Sequence, residues 1–186
     1  MAKIGLNNFR YSILTEAEDG TPTYAGAKKP AKAIDCKVNI ENNSAELYAD
    51  DALAESDYSF KKGTASITID EDNDEMMSEM LGHTIDEETG EMVRKDTDTA
   101  PFIGFGRIIS KLVGGVQKHK VEFLPKVKFA EPSQEDTTKG ESVEFKTTTL
   151  EGTVMKLADG TWSRTKTFTD KQEAITYLES LLAKTA

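Results

Sequence analysis

Apolar and polar residues alternate with a period of two along most of this chain, the signature of half-buried strands. Phe9, Tyr11 and Ile13 alternate with Arg10, Ser12 and Leu14 in a weak first strand, and Glu18-Asp19-Gly20-Thr21-Pro22 reads as a turn. Ile34, Cys36, Val38 and Ile40 alternate with Asp35, Lys37, Asn39 and Glu41, which predicts a strand with one dry and one wet face. Ala65, Ile67 and Ile69 alternate with Ser66, Thr68 and Asp70 in another. Between these two, over residues 42–64, the alternation blurs. That length is too great for an ordinary hairpin connection, so the segment reads as a long loop, and long loops in compact domains tend to be functional. It keeps Leu47, Tyr48, Leu53, Tyr58 and Phe60, and a loop with exposed aromatics usually binds something. The plainer expectation is that it folds back onto its own core.

Periodicity changes twice. Met76, Met77, Met80 and Leu81 lie at helical spacing, after the capping residues Asp72 and Asn73 and the carboxylates of Asp74 and Glu75, and before Gly82, a natural helix stop. Near the end, Ala174, Ile175, Leu178, Leu181 and Leu182 form an apolar stripe on a helix of about 170–183, with Thr169 and Gln172 as its capping box. Residues 102–129 carry the strongest hairpin signal, since Gly114-Gly115 can supply two positive φ values. Pairing about that turn sets Arg107 opposite Glu122, and Gly104 and Gly106 opposite Pro125 and Phe123. Val121, Phe123, Val127 and Phe129 then share the dry face, and Lys118, Lys120, Glu122, Lys126 and Lys128 the wet one. A second hairpin is predicted over 143–168 around Asp159-Gly160, with Trp162 packed across from Leu157. The sum is a single domain over 1–186, mainly β, a β-sandwich or barrel with one or two flanking helices.

Composition narrows the function classes. Leu, Ile, Val and Phe supply 39 of 186 residues, enough for a thin core under a polar surface. The formal net charge of −10 argues against general nucleic-acid affinity, which needs a phosphate-neutralising surface. The whole imbalance sits in residues 70–99, with twelve acidic side chains against Arg94 and Lys95. Within it, residues 84–100 read as an acidic excursion with a turn at Glu88-Thr89-Gly90. Residues 101–130 reverse the sign, with six basic side chains against Glu122. Such polarity could set opposite patches of two copies together, or simply keep both segments wet. No apolar window is long enough to cross a membrane, and no signal peptide is expected from the opening residues. Cys36 is the only cysteine and is expected to behave as a small core hydrophobe.

No catalytic or metal-binding constellation emerges. His83 and His119 have no partner at metal or triad spacing. Asp70-Glu71-Asp72-Asn73-Asp74 starts like a calcium loop but has Glu75 where glycine is needed and Leu81 where glutamate is needed. Gly104-Phe105-Gly106 lies within a predicted strand and is no phosphate loop. The chain is therefore expected not to be an enzyme and to carry no cofactor.

The order of several short strings resembles the major tail protein, or tail tube protein, of long non-contractile-tailed bacteriophages of Gram-positive hosts. They are Ala2-Lys3-Ile4-Gly5-Leu6-Asn7-Asn8-Phe9-Arg10-Tyr11, Leu47-Tyr48-Ala49-Asp50-Asp51 with Ala54-Glu55, and Lys120-Val121-Glu122-Phe123-Leu124. Glu131-Pro132-Ser133-Gln134-Glu135-Asp136, Leu150-Glu151-Gly152-Thr153-Val154 and Ala158-Asp159-Gly160-Thr161-Trp162 continue it over nearly the whole chain. The resemblance implies a β-sandwich with a flanking helix that assembles into stacked hexameric rings, forming the virion tail tube that conducts DNA to the host. Implied partners are further copies of the chain, a tape measure protein and tail tip or terminator proteins, with transient non-specific passage of DNA and no membrane insertion. Assembly would take place in the host bacterial cytoplasm. A long loop in this family reaches the neighbouring subunit or ring, which casts Leu47, Tyr48, Asp50, Asp51, Leu53, Tyr58 and Phe60 as the inter-subunit set. Two other readings compete: a β-sandwich binding module, such as a virion decoration or adhesin domain recognising carbohydrate or a surface protein, and an enzyme using carboxylates of 70–99.

Overall fold

The computed structural model describes residues 2–30, 32–49, 52–71, 73–133 and 147–183, with backbone alone at 2–4, 7, 45–49 and 52–57. Strands dominate it: β1 (Ala2–Glu16), β2 (Pro22–Tyr24), β3 (Ala33–Ala49), β4 (Ala52–Ile69), β5 (Thr84–Ile85), β6 (Met92–Val93), β7 (Ile103–Val113), β8 (Val116–Phe129), β9 (Thr148–Met155) and β10 (Arg164–Phe168). Helix α1 (Asp74–Leu81) follows β4, and α2 (Lys171–Leu182) ends the described chain. The fold is mainly β with two flanking helices. One antiparallel sheet runs β2-β1-β7-β8-β9-β4-β3, with β10 also paired to β8, and β5-β6 form a separate small hairpin.

The sheet has apolar residues on both faces, so it needs two covers. On one face Phe9, Tyr11, Phe105, Leu124, Val127 and Phe129 meet Ala65, Ile67, Ile69, Leu150 and the methionines of α1. These come from strands at both ends of the sheet order, so the sheet curls and β4 faces β1 and β7 across a shared core. On the other face Leu14, Tyr24, Ile108, Val121 and Phe123 lie under Ala174, Leu178 and Leu182 of α2. Two glycines set how close that cover sits. A Cβ at Gly106 would lie 2.2 Å from Leu178 Cδ1, and one at Gly104 2.4 Å from Tyr24 Cε1. The strand stays bare there so that a leucine and a tyrosine can touch its backbone.

Both helix caps have a physical basis. Asn73 accepts hydrogen bonds from Glu75 N and Met76 N, and Gly82 closes α1 at φ 81°. Helix α2 is capped by Asp170, which accepts from Glu173 N at 2.9 Å, and not by the expected Thr169–Gln172 box. The helix starts one residue later than the box requires, so the donor that is capped is Glu173 N in place of Gln172 N.

The hairpin register is as the charge and size pairing required. Arg107 faces Glu122 and Gly106 faces Phe123, through to Val113 opposite Val116. Beyond Phe105 the register shifts, so that Ile103 faces Val127 and the expected pairing of Gly104 with Pro125 does not form. The irregularity falls at Pro125, which has no N–H to give a ladder. It corrects the expected single dry face: Val121 and Phe123 point under α2, whereas Val127 and Phe129 point into the other core.

The second hairpin also needs correcting. The turn at Asp159-Gly160 is present, with Asp159 Oδ1 accepting from Thr161 N at 2.8 Å. Its flanking strands do not pair with each other. β9 takes β8 from Lys126 to Phe129, and β10 takes it from His119 to Phe123. A strand as long as β8 offers one edge to two partners in series. Trp162 lies in the gap between them and stacks on Phe60, with centroids 4.9 Å apart and planes within 6°, and does not sit across from Leu157 as expected.

Candidate assembly interface

The segment 42–64, read above as a long loop, is regular hairpin. β3 and β4 pair continuously from Ala33–Ile69 to Ala49–Ala52, with register shifts at three points. Only the part from Gly63 to Ile69 has a second neighbour, β9. Among the described residues the two strands have only each other as ladder partners from Asn42 outward, and at about 3.4 Å per residue the eight residues to Ala49 span about 27 Å past the part paired to β9. Periodicity could not reveal this. Asn42, Asn43 and Ser44 are all exposed, as are Tyr58 and Ser59, so successive residues show no dry and wet alternation and the polar run looks like loop.

The residues singled out for contact divide accordingly. Leu47, Tyr48 and Leu53 are strand positions of this arm. Asp50 and Asp51 lie outside the described residues. Tyr58 is 63% exposed, the most exposed of the large hydrophobic side chains that stand out at the surface. Phe60 instead stacks on Trp162 and fastens the root of the arm to the body.

The arm continues an open sheet edge. Among the described residues β3 pairs with β4 alone, so its outer backbone groups meet no described strand along seventeen residues. Arg107 satisfies one point near the base, donating from Nη1 to the Cys36 carbonyl at 2.7 Å. The same guanidinium donates from Nε to Glu122 at 2.6 Å, so a largely buried ion pair anchors the edge strand to the middle of the sheet. Proteins usually blunt such an edge with lysines, proline or a short strand. β3 has bulges, but it contains one lysine, no proline and an unusual length. Its predicted dry face holds at Cys36 and Val38, which pack against the core, but fails at Ile34, which sits at the first bulge and is 57% exposed. Burial pushes the Cys36 thiol up to about 11, so it lies far from the range of a nucleophile at neutral pH.

One further cluster had no sequence signal. The ring of His83, just after α1, lies between Asp98, 2.9 Å from Nδ1, and Glu131, which meets Nε2. Only folding brings positions so far apart in the chain to one ring. The His83 hydrogen bond, helped by the Lys95 backbone N–H, holds the Asp98 carboxyl below its ordinary range. The bridge ties the acidic excursion to the exit of β8. Inside that excursion Thr84 and Ile85 pair with Val93 and Met92, and Asp86 closes the turn by accepting from Glu88 N and Thr89 N at 2.9 Å. His119 is buried beside Ser110, with its Nδ1 3.3 Å from the hydroxyl.

Among the described residues no group of three or more His, Cys, Asp or Glu is placed to hold a metal ion. No described helix is long and apolar enough to cross a membrane. An open groove of about 450 Å³ lies between β10 and α2, lined by Phe168, Glu173, Thr176 and Tyr177 among others. No protein-family model matches the chain, and no curated protein is similar to it.

Proposed function

We propose that this chain is a structural virion protein, a subunit that polymerises as stacked hexameric rings into a phage tail tube conducting DNA to the host. The observation that carries the reading is the β3–β4 arm with its open edge. A free two-stranded ribbon is marginal in water, and an unpaired edge is a template for another strand. A fold that spends this many residues on one gains stability when a neighbour covers it. Closing neighbouring sheets edge to edge removes those edges altogether. In this reading the partners are further copies, a tape measure protein and tail tip or terminator proteins, and the site of action is the virion tail. DNA passes without being held, because a net charge of −10 per subunit repels a polyanion at short range.

Electron microscopy of the concentrated full chain, alone and with its tape measure and initiator proteins, tests this. Rings or tubes with six-fold end views are the expected result, and persistent monomers in both settings would refute it. A binding-module reading draws on the exposed Tyr58 alone. It requires micromolar glycan or surface-protein binding that Tyr58→Ala abolishes.

A further inference from the structure

The strands give the body two ends of opposite charge. Residues 70–99, with their twelve acidic side chains, fill the connection between the end of β4 and the start of β7. β7 then runs eleven residues to the Gly114-Gly115 turn, roughly 33 Å away at the rise of a strand. At that far end Lys111 and Lys118 are direct cross-strand partners, Lys120 is opposite Ile109 on the same face, and Lys3 takes the register position beside Lys111 on β1. Like charges set directly opposite each other weaken a ladder. Among the described residues no carboxylate forms an ion pair with Lys111, Lys118 or Lys120, whereas Lys28, Lys32, Lys62 and Lys126 each have one. Exposed aliphatic side chains accompany the charge at both ends. Val116, on the lysine face, is 50% exposed, Leu112 is 44% exposed on the reverse face of the same ladder, and Ile34 and Val93 are 57% and 36% exposed at the acidic end.

We infer that the lysine strip with Val116 is a docking surface for the acidic end of a second copy, joining copies head to tail along the strand direction. The charge balance favours this occupant: outside 70–99 the chain is neutral, so its surplus acid and its unpaired lysines sit on different ends of one molecule. Glu87, Glu88 and Glu91 are exposed and, among the described residues, form no ion pair, on a hairpin that the His83 bridge holds in place. A contact between two different surfaces does not close on itself as a dimer. It repeats, which is what stacking requires. The inference rests on the assembly reading and adds to it an axial contact distinct from the arm.

Self-association of the full chain is followed by sedimentation velocity from low to high salt. K111E/K118E/K120E and E87K/E88K/E91K are each expected to weaken it on the order of tenfold, and an equimolar mixture of the two should restore it. The neutral triple K111Q/K118Q/K120Q covers the case in which reversed charges disturb folding, and should remove most of the salt dependence. Restoration of the lysine variant by D50K/D51K and not by E87K/E88K/E91K would overturn the proposal and assign the strip to a neighbour's arm. A lysine variant that loses duplex DNA binding while its self-association is unchanged would overturn it too. Wild-type assembly that ignores every charge variant contradicts only the axial contact. A wild type that stays monomeric at all concentrations and salts contradicts the assembly reading itself.

Discussion

The hairpin β7–β8 and the hairpin β3–β4 are both long antiparallel pairs, yet they differ in what lies above and below them. β7 has strands on both edges, α2 on one face and the curled sheet on the other. Its residues from Ile103 to Ser110 are all buried. β4 has a second strand neighbour only from Gly63 to Ile69; beyond that point the ladder to β3 continues, Phe60 still stacks on Trp162, and Ser59 and Tyr58 are exposed. Backbone pairing alone therefore does not distinguish a core hairpin from an arm. Cover does, and the arm's missing cover is what points to a second chain.

The comparison is broken most severely from the body side. Arg107→Glu would set a carboxylate against Glu122 and free the Cys36 carbonyl, in a place where both partners of the ion pair are largely buried. A loss of about 3–5 kcal/mol in chemical denaturation is expected. An unchanged midpoint would mean that the pair does not anchor β3. Leu178→Ala removes the side chain that presses on Gly106 and should cost about 2–5 kcal/mol, read the same way. A similar loss from truncating Tyr58, which is 63% exposed, would erase the distinction between body and arm.

Smaller changes probe the joints between regions. Trp162→Ala removes the stack on Phe60 and is expected to cost about 1–3 kcal/mol while increasing hydrogen exchange in the arm more than in β7. Equal exchange in both would show that the stack does not fasten the arm. Asp98→Asn should give the smallest effect. The folded carboxyl is held below its ordinary range, so its contribution is present above the unfolded value near ~3.9 and is lost as acid carries the pH down through the folded one. The variant should therefore narrow the difference in Tm between neutral and acid solution. A difference equal to that of the wild type would remove Asp98 from the account.

What the sequence revealed follows the same division. Cover writes a pattern into residues, so the register of Arg107 against Glu122, the cap at Asn73 and the stripe on α2 were legible before any coordinates. The bulge at Pro125 blurred the reading because one extra residue moves every later side chain to the other face. The second hairpin misled because a turn at Asp159-Gly160 says nothing about which strand its arms pair with. The arm was the least legible, since its described positions Asn42, Asn43, Ser44, Tyr58 and Ser59 are exposed in succession and leave no period to detect. Tyr58 and Phe60 looked alike in sequence, and only the position of Trp162 separates an exposed side chain from an anchoring one. The His83 bridge depends on three segments meeting and has no local signature at all.

The central claim is that the arm exists for other copies and not for its own fold. Replacing residues 44–58 with Asn-Gly leaves Asn43 opposite Ser59, the register a two-residue turn needs, and keeps the Phe60–Trp162 stack. Electron microscopy of this variant beside the wild type, with melting curves on both, is the direct measurement. The account predicts a folded protein with nearly unchanged Tm that forms no rings or tubes where the wild type does. Tubes formed by the shortened chain, or loss of the fold itself, would contradict it.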